Sequence, residues 1–164
     1  MTGPSRRNAD LETKLGHEFA RPALLAEALT HASTSAARGL SYERLEFLGD
    51  RVLGLAMADV LIRSLPAEAE GDLARRHAVL VSREALVGVA RDLDLARYIN
   101  VQPSAAPDRV PESILADACE AVLGALYLDA GFEAAARLVE RLWGPKLDIE
   151  LPPPRDAKTE LQEW

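Results

Sequence analysis

The chain has 164 residues, 48% apolar and only 5% aromatic, with a net charge of −7 and a pI near 5.0. That length suits one domain with its own core, and an apolar set led by Ala and Leu favours helix packing over sheets. No run approaches the roughly 20 apolar residues of a membrane span, and MTGPSRRNAD lacks the apolar stretch of a secretory signal. A single cysteine, Cys119, excludes an internal disulfide and a thiolate metal cluster, so a reducing, cytoplasmic setting is expected.

From the N-terminus, Ala9 to Leu15 is predicted as a short helix with Asn8 as its N-cap. Pro22 opens a second helix reaching Leu29, since its missing N–H costs nothing in a first turn. Thr30 to Leu40 is small and polar, a loop carrying His31. Ser41 to about Ser64 is a long helix, apolar almost all round and therefore central. Gly49 and Gly54 in its interior cost about 1 kcal/mol each relative to Ala, and are expected where another backbone or a partner comes close. Pro66 ends it, and Glu70 to about Val81 forms the next helix. Ser82 caps a further amphipathic helix through Leu93, Ala96 to Ile99 reads as one turn, and Val101 to Arg109 as a Pro-containing loop. A second largely apolar helix spans about Pro111 to Leu128, with Gly131 near its stop, and a last helix covers Glu133 to Trp143. No strand-like alternation persists and no repeat is visible, so the fold class is all-α. Residues 1–150 form one domain. Residues 151–155, around Leu151-Pro152-Pro153-Pro154, are stiff linker chemistry, and residues 156–164 are a helically spaced piece too short to bury a core.

The acids carry the chemistry. Glu43, Glu46 and Asp50 stand at i, i+3 and i+7 within SYERLEFLGDRVLG, clustered within about 60° on one helix face that continues into Leu53, Gly54 and Met57. Asp117 and Glu120, at i and i+3 within SILADACEAVLGALYLD, share a face with Gly124 and Leu128. Carboxylates on faces that otherwise read as core are costly unless something cationic meets them. Hard cations such as Mg²⁺ or Mn²⁺ want oxygen ligands and keep waters, leaving room for a phosphate. A carboxylate-held pair of such ions suits in-line phosphoryl displacement. The alternative is a structural helical protein whose acids are solvated or paired with Arg44 and Arg51. With Glu70 counted in, six of the seven net negative charges lie on these acids and the remainder stands at −1, so acidity does not exclude a nucleic-acid partner. His31 and His77 lack any paired-His spacing and read as structural, and Cys119 as a small packed residue. Arg75, Arg76 and Arg83 suit phosphate contact or a solvated face equally. There is no Gly-rich phosphate loop, hence no expected nucleotide cofactor, and no Ser/His/Asp arrangement.

ERLEFLGDRVLG (Glu43 to Gly54) is similar to the signature of the ribonuclease III family. LTHAS (Leu29 to Ser33) lies upstream at the family's spacing, EGDLARR (Glu70 to Arg76) follows, and ILADACEAVLGALYLDAGF (Ile114 to Phe132) resembles the second acidic block. KTELQEW (Lys158 to Trp164) resembles the opening of the double-stranded-RNA-binding domain that follows in bacterial members. The resemblance implies the ribonuclease III endonuclease-domain helical fold, forming a homodimer. It implies Glu46, Asp50, Asp117 and Glu120 as metal-binding carboxylates, with Asp50 and Glu120 the most sensitive to neutralisation. Glu43 and Glu70 match two further acidic positions of the catalytic cleft. Phe47 matches an aromatic that inserts into the partner subunit, although its wheel position also suits ordinary core, and Arg51 sits where many members have Ser. The implied activity is Mg²⁺-dependent hydrolysis of both strands of double-stranded RNA, with Mn²⁺ able to substitute. It leaves 5′-phosphate and 3′-hydroxyl ends with short 3′ overhangs, in processing of ribosomal and other structured RNAs. The duplex lies in a valley across the two-fold axis and is read by shape and backbone. The alternative within the family is a non-cleaving RNA-binding protein of the same fold, but such relatives have lost acids that this chain keeps.

Overall fold

The computed structural model describes residues 4–34, 40–102 and 110–147, with side chains from Asn8 onward. Seven α-helices lie among them: α1 (Pro4–Leu15), α2 (Pro22–Ala28), α3 (Glu43–Ser64), α4 (Glu70–Leu80), α5 (Arg83–Asp92), α6 (Glu112–Ala130) and α7 (Phe132–Trp143). Single 3-10 turns stand at Leu95–Arg97 and Gly144–Lys146. The described residues contain no strand, only an isolated bridge between Thr30 and Asn100, so the all-α expectation holds.

The departures have local reasons. α1 begins at Pro4, where a missing N–H is no loss, so Asn8 lies inside the helix and is not its cap. α3 starts at Glu43 rather than Ser41. The turn after α5 comes at Leu95–Arg97 rather than Ala96–Ile99, because Asp94 adopts a left-handed conformation (φ 57°) that starts it early. Ser82 caps α5 as expected, its hydroxyl oxygen accepting from the Ala85 N–H at 3.3 Å. Residues 35–39 and 103–109 of the two expected loops, the linker and the 156–164 segment lie outside the described residues.

α6 is the axis of the molecule. Ala121 through Leu126 are buried without interruption, so the helix meets neighbours on every side: α2, α3, α5 and α7 all pack on it. α7 is amphipathic, burying Ala135, Leu138, Val139 and Trp143, whose indole N–H donates to the Leu80 carbonyl at 2.7 Å. Gly131, at φ 84°, divides α6 from α7 in one residue.

The crossing of α3 over α6 positions the site. A Cβ on Gly49 would lie 1.7 Å from the Glu120 carbonyl oxygen, and one on Gly124 would lie 2.2 Å from that of Leu45. The two backbones therefore touch, which only glycines at both positions permit. The close approach expected at Gly49 is present. Gly54 differs: it faces the His77 ring, 3.9 Å from where a Cβ would stand, and its carbonyl accepts from His77 Nε2 at 2.8 Å.

Candidate metal centre

Because Gly49 and Gly124 bring the backbones together, acids one or two turns away on each helix come within reach of one another. Glu46 of α3 and Asp117 and Glu120 of α6 each present a carboxylate oxygen within 4.8 Å of the others. All three are half-buried. Among the described residues no side chain forms an ion pair with Glu46 or Glu120, and the hydroxyl of Tyr42 donates to Asp117 Oδ2 at 3.5 Å. Three oxygen donors from two rigid helices, with no ion-pair partner among the described residues, are compatible with a divalent metal ion.

The electrostatics agree. Burial, then the charges of Asp50, Glu46 and Asp117, push the Glu120 carboxyl up to about 7, with Arg83 opposing. Burial, then Asp117, Glu43 and Asp50, raise Glu46 in the same direction. Asp50 and Glu43 thus lie near enough to be felt, though outside the close triple. Asp50 is exposed, and its Oδ2 meets Arg51 Nη1 at 3.1 Å. Glu43, also exposed, accepts from the Ser41 hydroxyl.

Residues 21–147 match the family model described as Ribonuclease-III-like. A "Ribonuclease 3" of Rhodopseudomonas palustris is 48% identical over 160 residues, covering 95% of this chain and 59% of that protein. One from Cereibacter sphaeroides is 49% identical over 155 residues, 93% of this chain and 68% of that one. The nuclease domain of ribonuclease III from Campylobacter jejuni, described for structural flexibility in the region involved in dimer formation, superposes with a TM-score of 0.79 at 37% identity. That match covers 85% of this chain and 98% of the other.

The chain belongs to the ribonuclease-III-like family. It spans roughly three fifths to two thirds of the length of the curated family members it matches.

Within this family member, Glu70 is the acid that stays apart: it is the first residue of α4, exposed, and outside the Glu46–Asp117–Glu120 cluster. Phe47 is 63% exposed, which rules out its reading as ordinary core. Arg51 lies over it, 3.7 Å from the ring centroid, and also donates to the Phe47 carbonyl at 3.0 Å. An open groove beside the ring is lined by Leu24, Leu48 and Leu128.

The arginines separate cleanly. Arg76 is buried and doubly bonded to Glu68, with contacts of 2.7 and 2.9 Å, so it is structural, and Arg75 is tied to Asp72. Arg83 makes no ion pair among the described residues and sits, exposed, at the first turn of α5 on the side of the acids. Burial pushes the Cys119 thiol up to about 12, consistent with inert packing. His77 is structural through Gly54. Two residues escaped the sequence reading: Tyr42, whose signal was only an aromatic adjoining ERLEF, and Asp129, whose partner His17 is 112 positions away.

Proposed function

We propose that this chain carries the catalytic domain of an Mg²⁺-dependent endoribonuclease that cuts both strands of double-stranded RNA. We assign residues 1–150 to that domain, 151–155 to a linker and, on the resemblance of KTELQEW, 156–164 to the opening of an RNA-binding domain. The observation that carries the reading is the convergence of Glu46, Asp117 and Glu120 at a glycine crossing in a ribonuclease-III-like chain. A helical scaffold with paired surface acids would instead show cations at those carboxylates. Here, among the described residues, neither Arg44 nor Arg51 forms an ion pair with them, and Arg51 engages Asp50 and Phe47 instead.

Glu46, Asp117 and Glu120 would hold the ion, with Asp50 joining from the rim. Once bound there, divalent cations supply charge neutralisation for the phosphodiester and activation of water. The rest falls to the chain. Glu120 must be free of its proton, so ion binding strengthens as pH rises through about 7. Asp50 must exchange its contact with Arg51 for one toward Glu120, which costs little because both groups are more than half exposed. Glu43 and Glu70 act as flanking acids of the cleft. Arg83, which makes no ion pair among the described residues and whose charge is felt by Glu46 and Glu120, suits a backbone phosphate.

Phe47 and its groove support a homodimer, since a large exposed aromatic next to an apolar recess suits isologous pairing. Two centres on one duplex then give staggered cuts. Among the described residues no helix is long and apolar enough to cross a membrane, and a cytoplasmic role in processing ribosomal and other structured RNAs fits the reading. The test is incubation with a perfect RNA duplex, with and without Mg²⁺, mapping both ends. Metal-dependent 5′-phosphate and 3′-hydroxyl termini with short 3′ overhangs are expected. Duplex that is retained but uncut would turn the assignment to a non-cleaving RNA binder.

A further inference from the structure

Tyr42 stands immediately before α3, between the LTHAS segment and the acids. Three contacts fix it. Its N–H donates to the Thr30 carbonyl at 3.1 Å, its carbonyl accepts from the Glu46 N–H at 2.7 Å, and its ring lies against that of His31 with centroids 5.6 Å apart. The His31 Nδ1 is itself engaged by Ser33, and the His31 N–H donates to the Asn100 carbonyl at 3.1 Å, so the support is anchored in turn. With the residue 4% exposed and so held, the hydroxyl has one hydrogen-bond partner among the described residues, Asp117 Oδ2 at 3.5 Å. A carboxylate can only accept, so the phenol donates. Burial, then the charges of Asp117 and Glu46, keep that hydroxyl protonated well beyond the ordinary phenol range.

We propose that Tyr42 is a positioning residue of the metal centre: its hydroxyl holds one oxygen of Asp117 so that the other is presented to a divalent cation shared with Glu46 and Glu120. The proposal rests on the metal reading given above. Asp117 is one χ1 rotation away from facing other directions on the α6 surface, and a carboxylate crowded by Glu46 and Glu120 is repelled from the orientation that binding needs. A donor anchored outside α6 opposes that repulsion before the cation arrives. Partners of this kind, behind a ligating group, are worth about 10–100-fold in metal affinity. The same arrangement gives His31 a role without ligation: it braces the tyrosine ring.

The test is Tyr42→Phe, which keeps the ring and its contact with His31 and removes only the donor. Calorimetric titration with Mn²⁺ should show about tenfold weaker binding, while the metal-free protein melts close to the wild type. Cleavage of duplex RNA should fall at limiting Mg²⁺ and return to the wild-type kcat when Mg²⁺ is raised. In an Asp117→Asn background Tyr42→Phe should add no further loss of Mn²⁺ affinity. Equal affinity in wild type and Tyr42→Phe, losses that add across the two variants, or a kcat defect that Mg²⁺ does not rescue would each overturn the proposal. Absence of Mn²⁺ binding by the wild type would overturn the metal centre itself. Normal wild-type binding that ignores Tyr42 would leave the centre standing and remove only this role.

Discussion

Helix α6 carries carboxylates at two levels, and their surroundings are opposite. Near its C-terminal end the side chain of Asp129 is enclosed, 1% exposed. It accepts from the His17 ring at 2.7 Å and from the N–H groups of Ala20 and Arg21 at 3.0 and 2.9 Å. Burial works to raise its carboxyl, but those donors outweigh it and hold Asp129 below the usual carboxylate range. Nine residues earlier burial acts on Glu120 in the same direction, and because its neighbours Asp50, Glu46 and Asp117 add to that effect instead of opposing it, the carboxyl is pushed up to about 7. An acid that ties the segment between α1 and α2 to α6 is given donors, whereas an acid of the candidate metal centre is given other acids. Burial acts the same way on both, so the contrast in neighbours is what sets the candidate site apart from the structural end of the helix.

The contrast can be broken first at the crossing that creates it. Gly49→Ala forces a Cβ onto the Glu120 carbonyl, and it should cost at least about 3 kcal/mol and abolish Mn²⁺ binding, read by denaturant unfolding and calorimetry. If the variant keeps wild-type stability, the backbones do not touch.

Glu120→Gln comes next. Duplex cleavage should drop by about 100-fold or more, yet the metal-free protein should melt higher, because a repelled charge is gone. The sign with pH follows. The unfolded chain releases this proton near 4.5 and the folded chain near 7, so metal-free stability should fall as pH rises across that window and flatten in the variant. A stability that climbs with pH there would reverse the assignment.

Asp129→Ala should cost about 2 kcal/mol at neutral pH while leaving Mn²⁺ affinity unchanged. Its depressed carboxyl contributes stability above the ordinary 3.8 that is lost as pH falls through the lower folded value, the reverse of Glu120. The smallest effect is expected from Phe47→Ala, about fivefold weaker self-association by sedimentation, with the metal centre intact. Unchanged association would move the interface elsewhere.

Much of this was legible in the residues. Apolar, Ala- and Leu-rich periodicity made the chain all-α, Ser82 announced the start of α5, and Gly49 announced a close approach. Resemblance supplied the family. Less legible were contacts between distant positions: His17 with Asp129, Tyr42 with Asp117, and the Arg51 guanidinium shared by Phe47 and Asp50. Gly54 looked equivalent to Gly49 and is not, since only packing separates a glycine under a backbone from one under an imidazole.

Helical spacing by itself determined that Glu46 shares a face with Glu43 and Asp50, and Asp117 with Glu120, because 3.6 residues per turn is a property of the local backbone. Tertiary structure decided that the two faces meet. It also decided that Glu120 bears a strained charge, and that Glu70 stands outside the cluster. Those outcomes depend on where two helices cross, and the crossing is set by which side chains are absent from the contact, Gly49 on one helix and Gly124 on the other.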